Sequence, residues 1–256
     1  MDARSSAARF YDLNPNLPRD IPFYGRLIPG RNARVLELGC GTGRVLIPLS
    51  AMCAYIRGVD NSEAMVSLCR GKLAALGVAG SHARVDVGDI SQLSRGESYD
   101  LIIAPFRVLQ NLETDRQVDG LFNSIRAHLT QEGTCVLNVF NPFADAQTLR
   151  LTWATPGETK EWEVPFQGGK LVCSSVHARM DPEKLILYPE MIYRRHLPDS
   201  VKEEARMAFV MRCYYPDQFR SLIESHGFRI TKEWGGYEEQ VYGKGPELVV
   251  QFVEAS

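Results

Sequence analysis

The chain has 256 residues, enough to bury one large core or one core with an elaboration, and its 45% hydrophobic and 23% charged content suits a globular enzyme. A formal net charge of −2 with no Lys/Arg cluster argues against nucleic acid as a partner, because phosphate binding relies on a basic surface. No run of 18 apolar residues and no signal-peptide core at the N-terminus predict a cytoplasmic protein without a membrane partner.

In chain order, residues 1–31 read as a helical cap. Ala7–Tyr11 and Asp20–Ile28 suit two short helices, with Asp20 as N-cap and Pro22 in the first turn. An apolar strand over 34–38 carries Glu37, breaks into the alternating glycines Gly39, Gly41 and Gly43, and runs into a helix over 43–52. The next strand, 55–60, ends on Asp60, 17 residues past Gly43, and Ser62 caps a helix over about 62–76. Strand, glycine turn, helix and a strand ending in an acid make a nucleotide-binding βαβ unit. An acid at the tip of the second strand is placed to accept both hydroxyls of a ribose.

Strands follow at 82–87, ending at Gly88-Asp89-Ile90, at 99–104 and at 134–140, with a helix over about 114–130 between the last two. Alternating helices and near-continuous apolar strands predict a parallel, doubly wound, Rossmann-like α/β sheet. A helix over 216–226 and strands at 228–234 and 247–253 complete seven strands, the last antiparallel. The core therefore spans 32–140 and 216–256. Residues 141–215 form an antiparallel β insertion of three strands, Lys170–Met180, Leu185–His196 and Arg206–Tyr215, with turns at Asp181-Pro182-Glu183-Lys184 and Leu197-Pro198-Asp199-Ser200. Alternating Leu185, Leu187 and Met191 and the strand edges allow a homodimer across a two-fold axis.

Two details separate nucleoside ligands. A dinucleotide fingerprint needs a third glycine where this chain has Arg44, and a carboxylate at Glu37 suits an ammonium and repels a pyrophosphate. The string Glu-Leu-Gly-Cys-Gly-Thr-Gly, with Asp60 at its spacing, resembles motif I of the class I S-adenosylmethionine-dependent methyltransferases. Arrangement over about 10–140 and 215–254 is similar to that of amino-sugar N-methyltransferases and glycine N-methyltransferase-like enzymes.

The resemblance implies S-adenosyl-L-methionine as cofactor and S-adenosyl-L-homocysteine as product. It places the backbone around Gly39, Cys40, Gly41 and Gly43 on the methionine part, Glu37 on its ammonium, and Asp60 on the ribose. Asn61 and Met65 flank the adenine, and Asp89 with the Ile90 backbone meets its exocyclic amine. A cap is the alternative role for Asp89. Tyr11 and Tyr24 on the preface match tyrosines that face the sulfonium, against ordinary packing as the alternative. Arg44 suits a carboxylate or simple solvation, and Pro105 and Phe106 are counted with the cofactor contacts.

The stretch Ala104–Leu112 lacks the two prolines and polar lead of enzymes that methylate nucleic-acid bases. Carboxylates do not cluster after the fourth and fifth strands, the cysteines form no C-x-x-C pair, and the histidines have no i, i+4 partner, so no metal site is expected. The six thiols read as small buried hydrophobes.

Methyl transfer to nitrogen or oxygen of a small-molecule acceptor follows, with little demand for a strong base. Where some amino-sugar enzymes carry a histidine, this chain has Gln110 and Asn111, so candidates come from the insertion. Cys173, Ser175, His177 and Arg179 share one strand face, and Glu190, Arg194 and His196 another, although such faces are often merely wet. Tyr193, Arg195, Tyr214 and Tyr215 suit acceptor recognition, and His177 and Tyr193 are the catalytic candidates. The rival readings are a tRNA or protein methyltransferase and a non-catalytic S-adenosylmethionine-binding protein.

Overall fold

The apolar segment Arg34–Leu38 forms β1 inside a seven-stranded sheet, where four of its five residues are buried. The computed structural model describes residues 4–78, 82–93, 96–155, 157–197 and 200–255. In chain order the sheet takes β1, β2 (Tyr55–Asp60), β3 (Ala83–Val87), β4 (Tyr99–Ala104) and β5 (Leu129–Phe140). The last two strands of the chain, β11 (Phe228–Trp234) and β12 (Glu247–Glu254), complete the spatial order β11-β12-β5-β4-β1-β2-β3. The first five strands are mutually parallel, and β12 runs antiparallel to both β5 and β11. This is the doubly wound sheet expected, with one reversed strand. Strand order turns back at β1 between β4 and β2, and a crevice opens there at the carboxyl ends of the strands.

Helices α1 (Ile21–Leu27), α2 (Leu46–Leu49), α3 (Glu63–Ala75), α4 (Asp115–His128), α5 (Ala146–Trp153) and α6 (Pro216–Ser225) join a 3₁₀ turn over Ala8–Leu13. Ser62 caps α3 as expected, its hydroxyl accepting from Met65 N at 3.3 Å. Helix α2 is far shorter than the predicted 43–52. Pro48 has no N–H to donate to Arg44, so the ladder is broken in its middle. One sheet face carries a core with Phe122, Phe219 and Phe252; the other packs Phe23, Tyr24, Leu46 and Val66. Among the described residues no helix is long and apolar enough to cross a membrane.

The insertion is larger than the three predicted strands. It holds α5 and five strands, β6 (Glu158–Phe166), β7 (Gly169–Asp181), β8 (Ile186–Leu197), β9 (Ser200–Ala208) and β10 (Met211–Arg212). They pair antiparallel, with β8 taking both β9 and β10 along one edge. The predicted strand 206–215 is thus split: β9 ends at Ala208 and β10 takes only Met211–Arg212 along the same edge of β8. There Phe209 N donates to Pro189 O at 3.2 Å. Positions 198 and 199 of the predicted turn lie outside the described residues. Trp162, Leu171, Cys173, Tyr193 and Met207 of this sheet pack on Ala7, Ala8 and Phe10 and on Met65 of α3, forming a third core. Leu187 is buried and Met191 faces a cavity within the chain, so two of the three residues suggesting a dimer are spoken for.

Candidate active site

The crevice at the switch point widens into a cavity of about 390 Å³ under the insertion sheet. Gly39, Gly41, Asp60, Asn61, Met65 and the Gly88–Ile90 turn line it from the seven-stranded core; Met191, Tyr193, Met207, Phe209 and Met211 line it from the insertion. Tyr11 and the loop Pro105–Val108 lie between.

The two lining glycines of the turn after β1 have distinct reasons. Gly39 has φ +70, and a Cβ there would sit 2.4 Å from Val108 Cγ2, so only glycine lets this loop close over β1. Gly41 has φ +52 and nothing lies within 4 Å of where a Cβ would project, leaving its backbone open to a ligand.

Asp60 is 2% exposed and braces the turn. Its Oδ2 accepts from Gly41 N at 3.0 Å and its Oδ1 from Ser62 N at 2.9 Å. A carboxylate has about four acceptor sites, so capacity for two further donors remains. Arg4 Nη2 lies 3.4 Å from Oδ1 and also hydrogen-bonds Asn61 Oδ1.

Glu37 is 2% exposed and its Oε2 has no hydrogen-bond partner in the protein. Burial pushes this carboxyl well above the usual carboxylate range, although the Arg44 charge pulls the other way. A ligand with a ribose and an ammonium fits these features. The unmatched oxygen of Glu37 calls for a cationic donor, and Asp60 can take hydroxyls beside an open Gly41 backbone.

The N-terminal segment is pinned over the glycine turn. Arg44 forks onto Asp20, with Nη2 to Oδ2 at 2.8 Å, and this ion pair is nearly sealed from solvent. Asp20 therefore does not cap α1 with its side chain, and Arg44 is committed inside the protein. Asp12 accepts from Thr42 Oγ1 and Lys72 Nζ, each at 2.6 Å. Asp12, Thr42 and Lys72 escaped the sequence reading because nothing local links positions so far apart.

After β4, Phe106 and Arg107 adopt φ of 58° and 69°, two consecutive side-chain-bearing residues in the left-handed region. Arg107 N donates to Asn138 Oδ1 at 3.0 Å, Asn138 Nδ2 to Glu247 Oε2 at 2.9 Å, and Arg107 Nε to Glu247 Oε1 at 3.1 Å. This closed ring holds the loop in its unusual conformation and presents Phe106 edge-on to Tyr11, their centroids 6.5 Å apart.

Of the predicted site residues, Tyr11, Gly39, Gly41, Asp60, Asn61, Met65, Asp89, Ile90, Pro105, Phe106 and Tyr193 line this one cavity. No helix directly follows Asp89 among the described residues, so it braces a turn instead of capping a helix. Against the effect of burial, bonds from Ser91 and Gln92 hold its carboxyl below the usual range. Glu37, Cys40, Gly43 and Arg44 are not among the lining residues; Glu37 and Cys40 are buried behind the turn.

Tyr24 is a correction: it is fully buried, packed on Phe23 and Tyr237 in the core, with no wall of the cavity. His177 is another. No residue of β7 lines the cavity, and the His177 ring stacks on Trp153 of α5 at 3.9 Å. Gln110, fully buried, donates to Arg212 O and accepts from Phe140 N, both at 2.8 Å, tying β10 to the core. Arg195 bonds Gln167 O, Tyr214 packs on Phe219, and Tyr215 donates to Ala144 O. The methionine wall was not anticipated, since thioethers at scattered positions carry no sequence signal.

Comparison with known proteins agrees with this geometry. Residues 35–133 match the family model described as a methyltransferase domain. A malonyl-[acyl-carrier protein] O-methyltransferase of Bacillus cereus is 33% identical over 111 residues, covering 42% of this chain and 37% of that protein. The chain thus spans well under half the length of that relative. The CcbJ methyltransferase of Streptomyces caelestis superposes with a TM-score of 0.80 at 23% identity, covering 100% of this chain and 99% of that one. The sugar N-methyltransferase KedS8 of a Streptoalloteichus species gives 0.75 at 15% identity, covering 100% and 96%. Residues 35–133 thus resemble a methyltransferase domain, and the whole chain has the fold of solved S-adenosylmethionine-dependent methyltransferases.

Proposed function

We propose that the protein transfers the methyl group of S-adenosyl-L-methionine to a nitrogen or oxygen of a small-molecule acceptor by direct displacement. One observation carries this reading. A single cavity joins a polar lining built on Asp60 and the glycine turn to a thioether and aromatic lining built on the insertion.

In this reading Asp60 accepts the ribose hydroxyls, Glu37 takes the ammonium, and the backbone at Gly39 and Gly41 packs on the methionine part. Asn61 and Met65 flank the adenine, with Asp89 and Ile90 at its amine edge. The cofactor supplies an electrophilic methyl group. The chain's own task is alignment and exclusion of water, which can contribute about 7–11 kcal/mol when reacting atoms are well oriented. Residues 1–31 serve as a cap pinned by Asp12 and Asp20, and residues 141–215 as the acceptor platform. Tyr193 is 4% exposed, and burial holds its hydroxyl well above its ordinary pKa. It therefore serves as a hydrogen-bonding and packing group for the acceptor and is a poor base.

Calorimetric titration with S-adenosylmethionine and S-adenosylhomocysteine tests the reading, with Asp60→Ala as control. Micromolar binding lost in the control, followed by methyl transfer to small amines or phenols, supports it. A protein that binds neither ligand contradicts it.

A further inference from the structure

The part of the cavity that the insertion lines is built from side chains with no charge to offer. Met191 and Met207 are direct cross-strand partners on β8 and β9, and Met211 pairs beside them on β10. Phe209 joins them, and Val108 and Leu112 from the core side complete the wall. The neighbouring guanidinium, Arg107, is bound through both Nε and Nη2 to Glu247. An anion entering here would meet no uncommitted cation among the described lining residues of this part. Thioethers adapt to irregular apolar shapes and contact aromatic rings favourably.

We infer that this part of the cavity binds a bulky, uncharged, apolar amine, and that the amine nitrogen is the methyl acceptor. The inference rests on the methyltransferase reading and narrows it. Desolvation disfavours the charged form of any titratable group. For an amine that means loss of its proton, which exposes the nucleophilic lone pair without a base. For a phenol or carboxylic acid it means retention of the proton, which withholds the nucleophile. The cavity's own hydroxyls respond in this sense: burial pushes Tyr11 up to about 12.

The step balances without a further reactant. The nitrogen lone pair forms a C–N bond as the C–S bond breaks. Sulfur keeps the electron pair of the broken bond, and the positive charge moves to nitrogen. The product ammonium then releases its N–H proton to solvent. A nucleotide-linked sugar is excluded by the same wall, since its diphosphate would be buried without a partner charge.

The test uses the full chain with methyl-¹³C methionine, saturated with S-adenosylhomocysteine. The probes are 4-phenylpiperidine, 4-phenylphenol, glucosamine and thymidine diphosphate. The expected result is saturable shifts of the Met191, Met207 and Met211 methyl signals with 4-phenylpiperidine, and methyl transfer to it but not to the phenol when S-adenosylmethionine is supplied. Met211→Glu should weaken the amine at least about tenfold in the deprotonated range, while Met207→Leu retains binding. Shifts caused by glucosamine or thymidine diphosphate instead, or transfer to the phenol over the amine, would overturn the inference. So would a protein that binds S-adenosylhomocysteine but none of the four probes. Failure to bind S-adenosylhomocysteine itself would remove the methyltransferase reading underneath.

Discussion

Arg4 lies against Asp60, its Nη2 3.4 Å from an oxygen of a carboxylate whose side chain is 3% exposed. Two backbone amides already use part of that carboxylate, and under the proposed function a ribose needs what remains. Arg4 and the ribose therefore compete for Asp60. A partly exposed ion pair is worth about 0.2–1 kcal/mol. Arg4→Ala should tighten S-adenosylmethionine binding by up to about fivefold. Calorimetry on the variant checks this, and weaker binding would mean that Arg4 holds the ligand.

Glu37 makes the unliganded protein sensitive to pH. Its folded carboxyl holds a proton more tightly than the unfolded chain does. Stability from this group is fully present below the ordinary glutamate range and is lost as pH rises towards the raised folded value. Cofactor affinity runs the opposite way, because an ammonium needs the carboxylate. Glu37→Gln should flatten both profiles: its melting temperature changes less between about pH 5 and pH 8, and S-adenosylmethionine binds weakly throughout. Thermal melts and titrations over that range provide the measurement.

The Arg44–Asp20 pair is buried on both sides. Removing one member strands the other charge, so Asp20→Ala should cost about 3–5 kcal/mol. Replacing both, as Asp20→Leu with Arg44→Met, should restore most of the loss. Urea denaturation of the single and double variants distinguishes a structural pin from a cofactor contact, since only the latter leaves stability untouched.

Glu247 holds Arg107 and, through it, the left-handed pair Phe106–Arg107. Glu247→Gln keeps the shape but weakens charge-assisted bonds worth about 1.5–3 kcal/mol. The variant should unfold at lower urea and lose affinity for S-adenosylhomocysteine, because Phe106 no longer has a fixed place in the cavity wall. Unchanged values of both would show that the loop keeps its conformation without the ring.

Legibility followed the range of the interaction responsible. Glu37, Asp60 and Ser62 could be placed from sequence because strand, turn and helix cap are set by neighbours a few residues away. Asp20 looked equally local, yet its partner is Arg44, 24 residues on, and a buried guanidinium outcompetes an exposed helix end. Strand β6 was hidden by its charge: Glu158, Lys160, Glu161 and Glu163 belong to a strand at the sheet border, where polar side chains face water. His177 attracted attention by residue type alone, and only the packing of α5 on β7 decides that it meets Trp153.

By itself, the sequence determined the βαβ unit, the reversed final strand, and the positions of Glu37 and Asp60 on their strands, since each arises from short-range backbone periodicity. The tertiary structure alone decided which tyrosine reaches the cavity, where the N-terminal segment is pinned, and that three distant methionines share a wall. Those outcomes depend on packing and charge pairing between segments far apart in the chain, and a linear pattern does not encode which of many partners will meet.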